Sequence, residues 1–206
     1  MAWHCVFREE WVHSACDSKT YFAGLDPHQR QDLADLLPYL ACGEVSAVHA
    51  FGGRLQGRVP GQAQVLLQQI AADERRHAAL IMSMQKQLPS PRGCLAPTQL
   101  AIFFQRLEAT DPAEHLARVS ALDRAVCRLL QPLLKKGGVL SRAPQLHQDL
   151  CALRRDEARH VRLTRRMASD MGCSVDRQMQ LNQSIQVRLT ALMSSVADVL
   201  LRMGSV

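Results

Sequence analysis

A five-residue run that occurs twice constrains the fold of this chain more than any other feature. The run Asp73-Glu74-Arg75-Arg76-His77 returns as Asp156-Glu157-Ala158-Arg159-His160. On an α-helix, a Glu and a His three positions apart lie on one face, so each run offers a carboxylate and an imidazole to the same bound ion. With average residue usage, Asp-Glu-x-Arg-His arises in roughly one chain in a thousand of this length, and twice far more rarely. The doubled run therefore indicates two halves of one metal site, held on two helices.

The composition favours helices over strands. The 206 residues suffice for one domain with a core, and 47% of them are hydrophobic. Aromatic residues make up only 4% of the chain, whereas Leu, Ala, Gln and Arg are abundant. The formal net charge of +6 is spread along helical patterns and forms no basic tail, so it gives weak support to acidic partners. We expect an all-α fold.

The cysteines and the first residues bear on the compartment. The seven cysteines are odd in number and include no Cys-x-x-Cys pair, which is typical of a reduced, intracellular set and argues against a zinc ribbon or a rubredoxin-type centre. The first 25 residues carry several charges and no apolar core of a signal peptide, and the chain has no uninterrupted run of about 18 apolar residues. We therefore expect a cytoplasmic protein without a membrane segment.

Apolar residues recur at helical spacing, and clusters of Gly and Pro separate the stripes. The first helix either begins at Pro27, or Pro38 breaks it and leaves a lead-in before a helix from about 38 to 56. The other predicted helices span about 62–88, 112–136, 143–171 and 175–203, with a crossover helix from Gln99 to Ala109. We expect a strap at 1–26, a pseudo-twofold four-helix bundle at 27–172, and a packing or homodimerisation helix at 173–206.

Six acidic and imidazole side chains interrupt these apolar stripes. Glu44 and Asp123 precede the two runs at similar distances. A buried, unpaired carboxylate costs several kcal/mol, whereas two divalent ions would neutralise four carboxylates. Oxygen-rich ligands with imidazole favour iron, with manganese as the alternative, over zinc. The predicted ligands are Glu44 and His77 for one ion, Asp123 and His160 for the other, and Glu74 and Glu157 as bridges.

Residues beside these ligands are predicted to support them. Asp73 and Asp156 point about 100° away from the metal face, so we expect them to accept the distal N–H of a ligand histidine across the bundle. Arg76 and Arg159 follow three residues later and are placed to pair with these aspartates. The arginines of the fourth predicted helix form a stripe, which is either a solvated face or a docking surface for an acidic redox or carrier protein; they are Arg155, Arg159, Arg162 and Arg166.

The doubled motif resembles that of a known superfamily. An acid followed at a distance by Asp-Glu-x-x-His, twice in one chain, is similar to the non-haem di-iron carboxylate oxygenases of the ferritin-like superfamily, including arylamine N-oxygenases. Here 28 residues separate Glu44 from Asp73, and 32 separate Asp123 from Asp156. The Arg in both runs is similar to the hydroxylase subunits of bacterial multicomponent monooxygenases. The chain departs from the pattern at Asp123, where the family carries Glu, and it is shorter than the arylamine N-oxygenases.

The resemblance implies a ferritin-like four-helix bundle that holds two iron ions and uses O2 to hydroxylate or N-oxygenate a small molecule. Electrons would come from an external donor, such as a ferredoxin or a reductase, because no Gly-rich dinucleotide motif follows a predicted strand. Ala47, Val48 and Phe51 are candidates to line the substrate cavity, followed by Phe103 and Phe104. Ordinary core packing is the competing interpretation for each of these five residues.

Three other functions stay open at this stage. A tRNA hydroxylase of the ferritin-like kind would suit the basic charge. A ferritin-like shell for iron storage or peroxide detoxification would use the same ligands. A structural bundle without metal would have to satisfy the buried acids in another way.

Overall fold

The computed structural model describes residues 21–53, 55, 57–93 and 97–204. Every regular element within these ranges is helical, which confirms the all-α prediction. Most of the predicted strap, including its two tryptophans, lies outside the described residues. Of the strap's aromatic residues, Tyr21 and Phe22 are described and are buried, and the Tyr21 hydroxyl donates a hydrogen bond to Asp149 at 2.8 Å.

The described elements follow one another as a series of long helices with shorter ones between them. The α-helices are α1 (Pro27–Gly52), α2 (Gly61–Gln85), α3 (Pro97–Gln105), α4 (Pro112–Leu133), α5 (Pro144–Asp170), α6 (Val175–Leu192) and α7 (Ala197–Gly204). Two short 3-10 segments, Val139–Arg142 and Met193–Val196, precede α5 and α7. The predicted boundaries agree with these helices to within about four residues, except in the last predicted helix, where a 3-10 segment intervenes.

The first helix begins where the cap residues place it and does not break at Pro38. Asp26 accepts a hydrogen bond from the Gln29 backbone N–H, and the Gln29 side chain bonds back to the Asp26 N–H, forming a capping box before Pro27. Pro38 lies inside the continuous helix. The alternative of a lead-in and a helix starting at about 38 is therefore wrong, because packing of α1 on both sides of Pro38 outweighs the one lost backbone hydrogen bond.

Two helical hairpins form the body of the structure. α1 packs along α2, and α4 packs along α5, while smaller contacts join α2 to α5 and α1 to α4. Both hairpins bury their apolar stripes toward each other, with Leu33, Leu37, Ile81, Leu130 and Leu150 almost fully enclosed. The short α3 packs on α1 between the two hairpins in sequence. This arrangement brings the inward stripes of α1, α2, α4 and α5 around one interior.

The C-terminal part packs on α4 and then on α1. α6 lies along α4. The 3-10 segment Met193–Val196 interrupts the single helix predicted for about 175–203, so that prediction is wrong only in its last third. At the interruption, the Ser195 and Tyr39 hydroxyls lie 2.7 Å apart, which holds the turn against α1. Arg202 of α7 donates two hydrogen bonds to Asp32 of α1, at 2.7 and 3.0 Å.

The same C-terminal stretch stands out for its hydropathy. Val175–Gly204 is long and apolar enough to cross a membrane by length and composition, with a mean hydropathy of 1.3 in its most apolar window and 22% of that window buried. Arg188 and Asp198 interrupt it, so it is not an uninterrupted apolar run. Most of its buried apolar residues, including Val196, Val199 and Met203, belong to the larger of the two hydrophobic clusters, and Leu181 belongs to the other.

Candidate metal centre

The two hairpins bring the six predicted ligands together in the interior. α1 carries Glu44, α2 carries Glu74 and His77, α4 carries Asp123, and α5 carries Glu157 and His160. Each of these residues is no more than 3% exposed, and His160 is fully buried. Such a concentration of titratable groups in a core is costly unless the groups neutralise one another or share a cation.

The six side chains divide into two groups that share two carboxylates. One group holds Glu44, His77 and the shared pair, and the other holds Asp123, His160 and the shared pair, which consists of Glu74 and Glu157. Within each group the candidate ligand atoms all lie within 4.8 Å of one another. Metal–oxygen and metal–nitrogen bonds are about 2.0–2.2 Å long, so ligands of one ion lie within about 4.4 Å of each other. Each group is therefore close to the size that one ion requires.

In the first group, the imidazole of His77 faces three carboxylates. Its Nδ1 lies 3.2 Å from Glu157 Oε1, 3.3 Å from Glu44 Oε2 and 3.7 Å from Glu74 Oε2. Carboxylates from three different helices thus converge on one nitrogen atom. A cation bound to this nitrogen atom would lie within reach of all three carboxylates.

In the second group, His160 faces the carboxylate of Glu74. Its Nδ1 lies 2.9 Å from Glu74 Oε1. This is the distance of an ion pair between the charged groups. Two ligand atoms bound at right angles to one ion at about 2.1 Å would lie about 3 Å apart, so the contact also has the spacing that one metal ion requires.

One buried oxygen atom in this group lacks a partner among the described residues. Asp123 Oδ2 has no hydrogen-bond partner in the part of the chain described. Glu157 Oε1 lies 3.8 Å from Nδ1 of His160 and 3.2 Å from Nδ1 of His77. Buried polar atoms are almost always hydrogen-bonded, and each exception calls for an explanation such as an ion or a water molecule.

A ring of four charged residues covers the opposite edge of both histidines. Asp156 Oδ2 lies 3.3 Å from Nε2 of His77, and Asp73 Oδ2 lies 3.3 Å from Nε2 of His160. Each aspartate therefore meets the histidine of the other run. Because an ionised carboxylate only accepts hydrogen bonds, Nε2 is the donor and Nδ1 turns toward the interior.

The two arginines close this ring across the α2–α5 seam. Arg76 donates to Asp73 and to Asp156, both at 2.8 Å, and Arg159 pairs with Asp156 at 3.1 Å and with Asp73. Partial burial would raise the pKa of Asp73, but hydrogen bonds from Arg76 and His160 lower it below its ordinary value. Asp73 is thereby held as a charged acceptor for His160.

Burial and mutual repulsion set the protonation of the inner carboxyl groups. Burial, followed by the charges of Glu157 and Glu74, raises the pKa of Glu44 well above its ordinary value. The same causes raise the pKa of Asp123, and burial followed by the charge of Glu74 raises that of Glu157. Burial would also raise the pKa of Glu74, but the two histidines outweigh it and lower that pKa. In the metal-free protein, the raised pKa values favour protons on Glu44, Asp123 and Glu157, where metal ions would otherwise supply the positive charge.

The histidines respond to the carboxylates in the opposite sense. Burial would lower the pKa of His77, but Glu157, Glu44 and Glu74 outweigh it and raise the pKa above its ordinary value. Burial likewise opposes the charged form of His160, and Glu74 and Glu157 raise its pKa. The cluster thus has a strong electrostatic demand for positive charge.

The donor atoms offered here are oxygen and imidazole nitrogen. Cys127 lies one turn beyond Asp123 on α4, but its thiol contacts the Arg154 carbonyl oxygen at 3.7 Å. Burial and the charges of Glu157 and Asp123 raise the pKa of this thiol to about 11. Cys127 belongs to neither of the two four-residue groups. Four carboxylates and two imidazoles suit iron or manganese better than a thiolate-preferring metal.

The residues predicted to line a substrate cavity are parts of the core. Ala47, Val48 and Phe51 are all buried, and the Phe51 ring meets the His160 ring edge-on with 6.5 Å between centroids. Phe103 and Phe104 contact each other in an edge-on pair 5.2 Å apart and belong to a different part of the core. Only Phe51 is thus placed against a predicted ligand by a direct ring contact.

Three features of the surroundings were not predicted from the sequence. The Thr164 hydroxyl donates to the His160 carbonyl oxygen at 2.7 Å, and the Ser120 hydroxyl donates to the Val161 carbonyl oxygen at 3.3 Å. A surface pocket of about 760 Å³ lies between α4, α5 and α6, with Ser120 and Arg165 in its wall, and none of the six inner residues lines it. The buried Thr164 on the metal-facing stripe was the only signal available beforehand.

The arginine stripe of α5 is divided between two roles. Arg155, Arg162 and Arg166 are exposed, and Arg166 forms one distant ion pair with Asp170 at 3.8 Å. Arg159 instead belongs to the ring over the histidines. All four arginines are exposed, and Arg159 is the one that also pairs with the aspartates beside the histidines.

Comparison of the chain with models of protein families, with curated proteins and with solved structures finds no match. The function must accordingly be argued from the geometry of the site.

Proposed function

We propose that the chain is a ferritin-like protein that binds two iron ions and acts as an O2-dependent monooxygenase or oxidase on a small molecule. In this proposal Glu44 and His77 hold one ion, and Asp123 and His160 hold the other. Glu74 and Glu157 bridge the two ions. The doubled run and the fold class support the assignment, because di-metal carboxylate bundles take one Glu-x-x-His pair from each of two helices.

The single observation that carries the proposal is the convergence of six buried carboxylate and imidazole side chains in two four-residue groups. An apolar core would not contain these side chains, and His160 Nδ1 lies 2.9 Å from Glu74 Oε1, a separation that two ligands of one ion would have. A cation in each group would neutralise its carboxylates. The shared membership of Glu74 and Glu157 in two four-residue groups supports two ions rather than one.

The charge balance supports the same conclusion. Four carboxylates carry four negative charges when ionised, and two divalent ions carry four positive charges. These charges cancel, so the interior is neutral when both ions are bound. The raised pKa values of Glu44 and Asp123 mark the positions where protons stand in for metal charge in the metal-free protein.

When bound, the two iron ions would supply the reductive activation of O2. The chain's own residues supply the rest. Asp73 and Asp156 hold hydrogen on Nε2 of the histidines, so that Nδ1 presents its lone pair to the interior. Phe51 and the neighbouring apolar side chains keep bulk water from the centre, which strengthens its electrostatic interactions. Electrons reach the centre from an external donor protein.

Metal analysis tests the centre directly. Purified protein freed of metal and loaded anaerobically with Fe²⁺ is expected to retain two ions per chain, one for each four-residue group. Glu74→Ala and Glu157→Ala each remove a bridge and are expected to lose both ions. Asp170→Ala, which changes an exposed carboxylate on α5, is the matched control and should keep both.

Oxygen uptake tests the reaction. Loaded protein supplied with a chemical reductant is expected to consume O2, and the two bridge variants are not. A folded wild-type chain that binds no iron or manganese would remove the metal centre altogether. Iron binding without O2 consumption would leave the centre in place and overturn the oxygenase assignment.

A further inference from the structure

The two halves of the candidate centre are not equivalent. On the α1 side, Glu44 Oε2 lies 3.3 Å from Nδ1 of His77. On the α4 side, Asp123 forms no ion pair with His160 among the described residues, and its Oδ2 has no hydrogen-bond partner although it is fully enclosed. The pseudo-twofold relationship between the hairpins therefore fails at one specific pair of residues.

Side-chain length contributes to the difference. Glu44 and Asp123 are the acids that precede the two repeated runs, separated from Asp73 and Asp156 by 28 and 32 residues. Aspartate is one methylene shorter than glutamate, which shortens the reach of its carboxylate by about 1.5 Å. A shift of this size is large compared with the roughly 0.5 Å tolerance of a metal-ligand geometry.

The remaining ligands do not compensate on the α4 side. His77 Nδ1 has three carboxylate oxygens within 3.7 Å, from Glu157, Glu44 and Glu74. His160 Nδ1 has one at 2.9 Å, from Glu74, and a second at 3.8 Å, from Glu157. One position thus gathers carboxylates more closely around its histidine than the other does.

We propose that the two metal positions bind unequally: the Glu44–His77 position fills first and tightly, and the Asp123–His160 position fills second, more weakly, with room for an exchangeable ligand. This inference rests on the proposed di-metal function and deepens it. The exchangeable ligand is a small oxygen-donor or anionic molecule, because it completes an oxygen-rich set that lacks one well-placed carboxylate.

Titration of metal-free protein with Co²⁺ tests the inequality without any need for activity. Co²⁺ resists oxidation and absorbs visible light in a way that reports its ligands. Two binding phases are expected in the wild type, separated by about tenfold or more in dissociation constant, as changes around metal ligands commonly produce. Asp123→Glu is expected to tighten the weaker phase and bring the two constants within about threefold. Glu44→Asp is expected to loosen the tighter phase.

The two variants also separate the assignment from a folding defect. Circular dichroism and thermal unfolding of the metal-free variants identify any variant that fails to fold. If only one variant folds, its two binding phases alone show which acid belongs to the tighter metal position. Addition of azide to the fully loaded wild type is expected to change the spectrum of the weakly bound ion, and this change should diminish in Asp123→Glu.

The outcomes are distinguishable from failure of the proposed function. Two equal binding phases in the wild type would overturn the inequality and leave the di-metal centre intact. Unequal phases that Asp123→Glu leaves unchanged would overturn the role given to Asp123. Absence of Co²⁺ binding in the folded wild type would overturn the metal centre itself and the inference with it.

Discussion

Asp156 on α5 places its Oδ2 atom 3.3 Å from Nε2 of His77 on α2. The relationship is reciprocated by Asp73 and His160 at the same distance. Each repeated run thus supplies a candidate histidine ligand and also the aspartate that orients the histidine of the other run. The two hairpins depend on each other at the site, so the orientation of either histidine requires both to be assembled.

Removing the charge of one of these aspartates should weaken metal binding without unfolding the protein. Asp156→Asn keeps the shape of the side chain but loses the charged acceptor that holds the His77 tautomer and Arg76. We expect about 10- to 100-fold lower affinity for the ion on the His77 side, measured by competition with a chelator. Asp170→Asn, on the exposed face of α5, is the control. Equal affinities in both variants would contradict a supporting role for Asp156.

The metal-free protein should lose stability as pH rises, in a manner that depends on Asp123. Burial raises the pKa of this carboxyl well above its ordinary value of 3.8. At pH values between 3.8 and the raised pKa, Asp123 keeps its proton in the folded chain and releases it in the unfolded chain. Rising pH therefore favours unfolding through this group. The limiting slope for one such group is about 1.4 kcal/mol per pH unit. Asp123→Asn cannot titrate and should remove this part of the slope.

Chemical denaturation in the presence of a chelator, at a series of pH values above 4, measures this effect. The difference in unfolding free energy between Asp123→Asn and wild type should grow in favour of the variant as pH rises. Asp170→Asn, with an exposed carboxylate, should follow the wild-type curve. Parallel curves for wild type and Asp123→Asn would show that Asp123 does not retain its proton in the folded chain.

Phe51 should link core stability to the candidate centre. It is 2% exposed, and its ring contacts that of His160. Phe51→Ala is expected to lower the unfolding free energy by about 3–5 kcal/mol and to change the visible spectrum of bound Co²⁺. Leu130→Ala, which empties a fully buried position in a different part of the core, should lose about 2–5 kcal/mol and leave the spectrum unchanged. Identical spectra for both variants would separate Phe51 from the site.

The contact between Arg202 and Asp32 should hold the C-terminal helix to α1. Two hydrogen bonds of 2.7 and 3.0 Å join the guanidinium to the carboxylate. In Arg202→Ala we expect faster amide hydrogen exchange in α7, because α7 can open locally without the cost of breaking this ion pair. Exchange in α2 and α5 should stay as in wild type. Asp198→Asn changes an exposed charge on the same helix and serves as the control. Unchanged exchange in α7 would mean that apolar packing alone anchors it.

Local sequence signals were enough for most of the helical plan. Asp26 before Pro27 and Asp111 before Pro112 mark two helix starts, and in both cases the aspartate accepts a backbone hydrogen bond in the first turn. Signals of this kind act over a few residues, so they are legible without a structure. Pro38 misled for the same reason, because its local cost is visible in the sequence and the packing that offsets it is not.

The long-range features follow from how the hairpins meet. The repeat identified Glu74, His77, Glu157 and His160 as inward-facing on their helices, because the helical period alone places them on apolar stripes. The opposition of His160 Nδ1 and Glu74 Oε1, and the failure of Asp123 to reach His160, arise from distances between α2, α4 and α5. A periodic pattern defines which face of a helix is buried, but only packing defines how far apart two buried atoms lie, and differences of about one bond length decide whether a carboxylate reaches its ion.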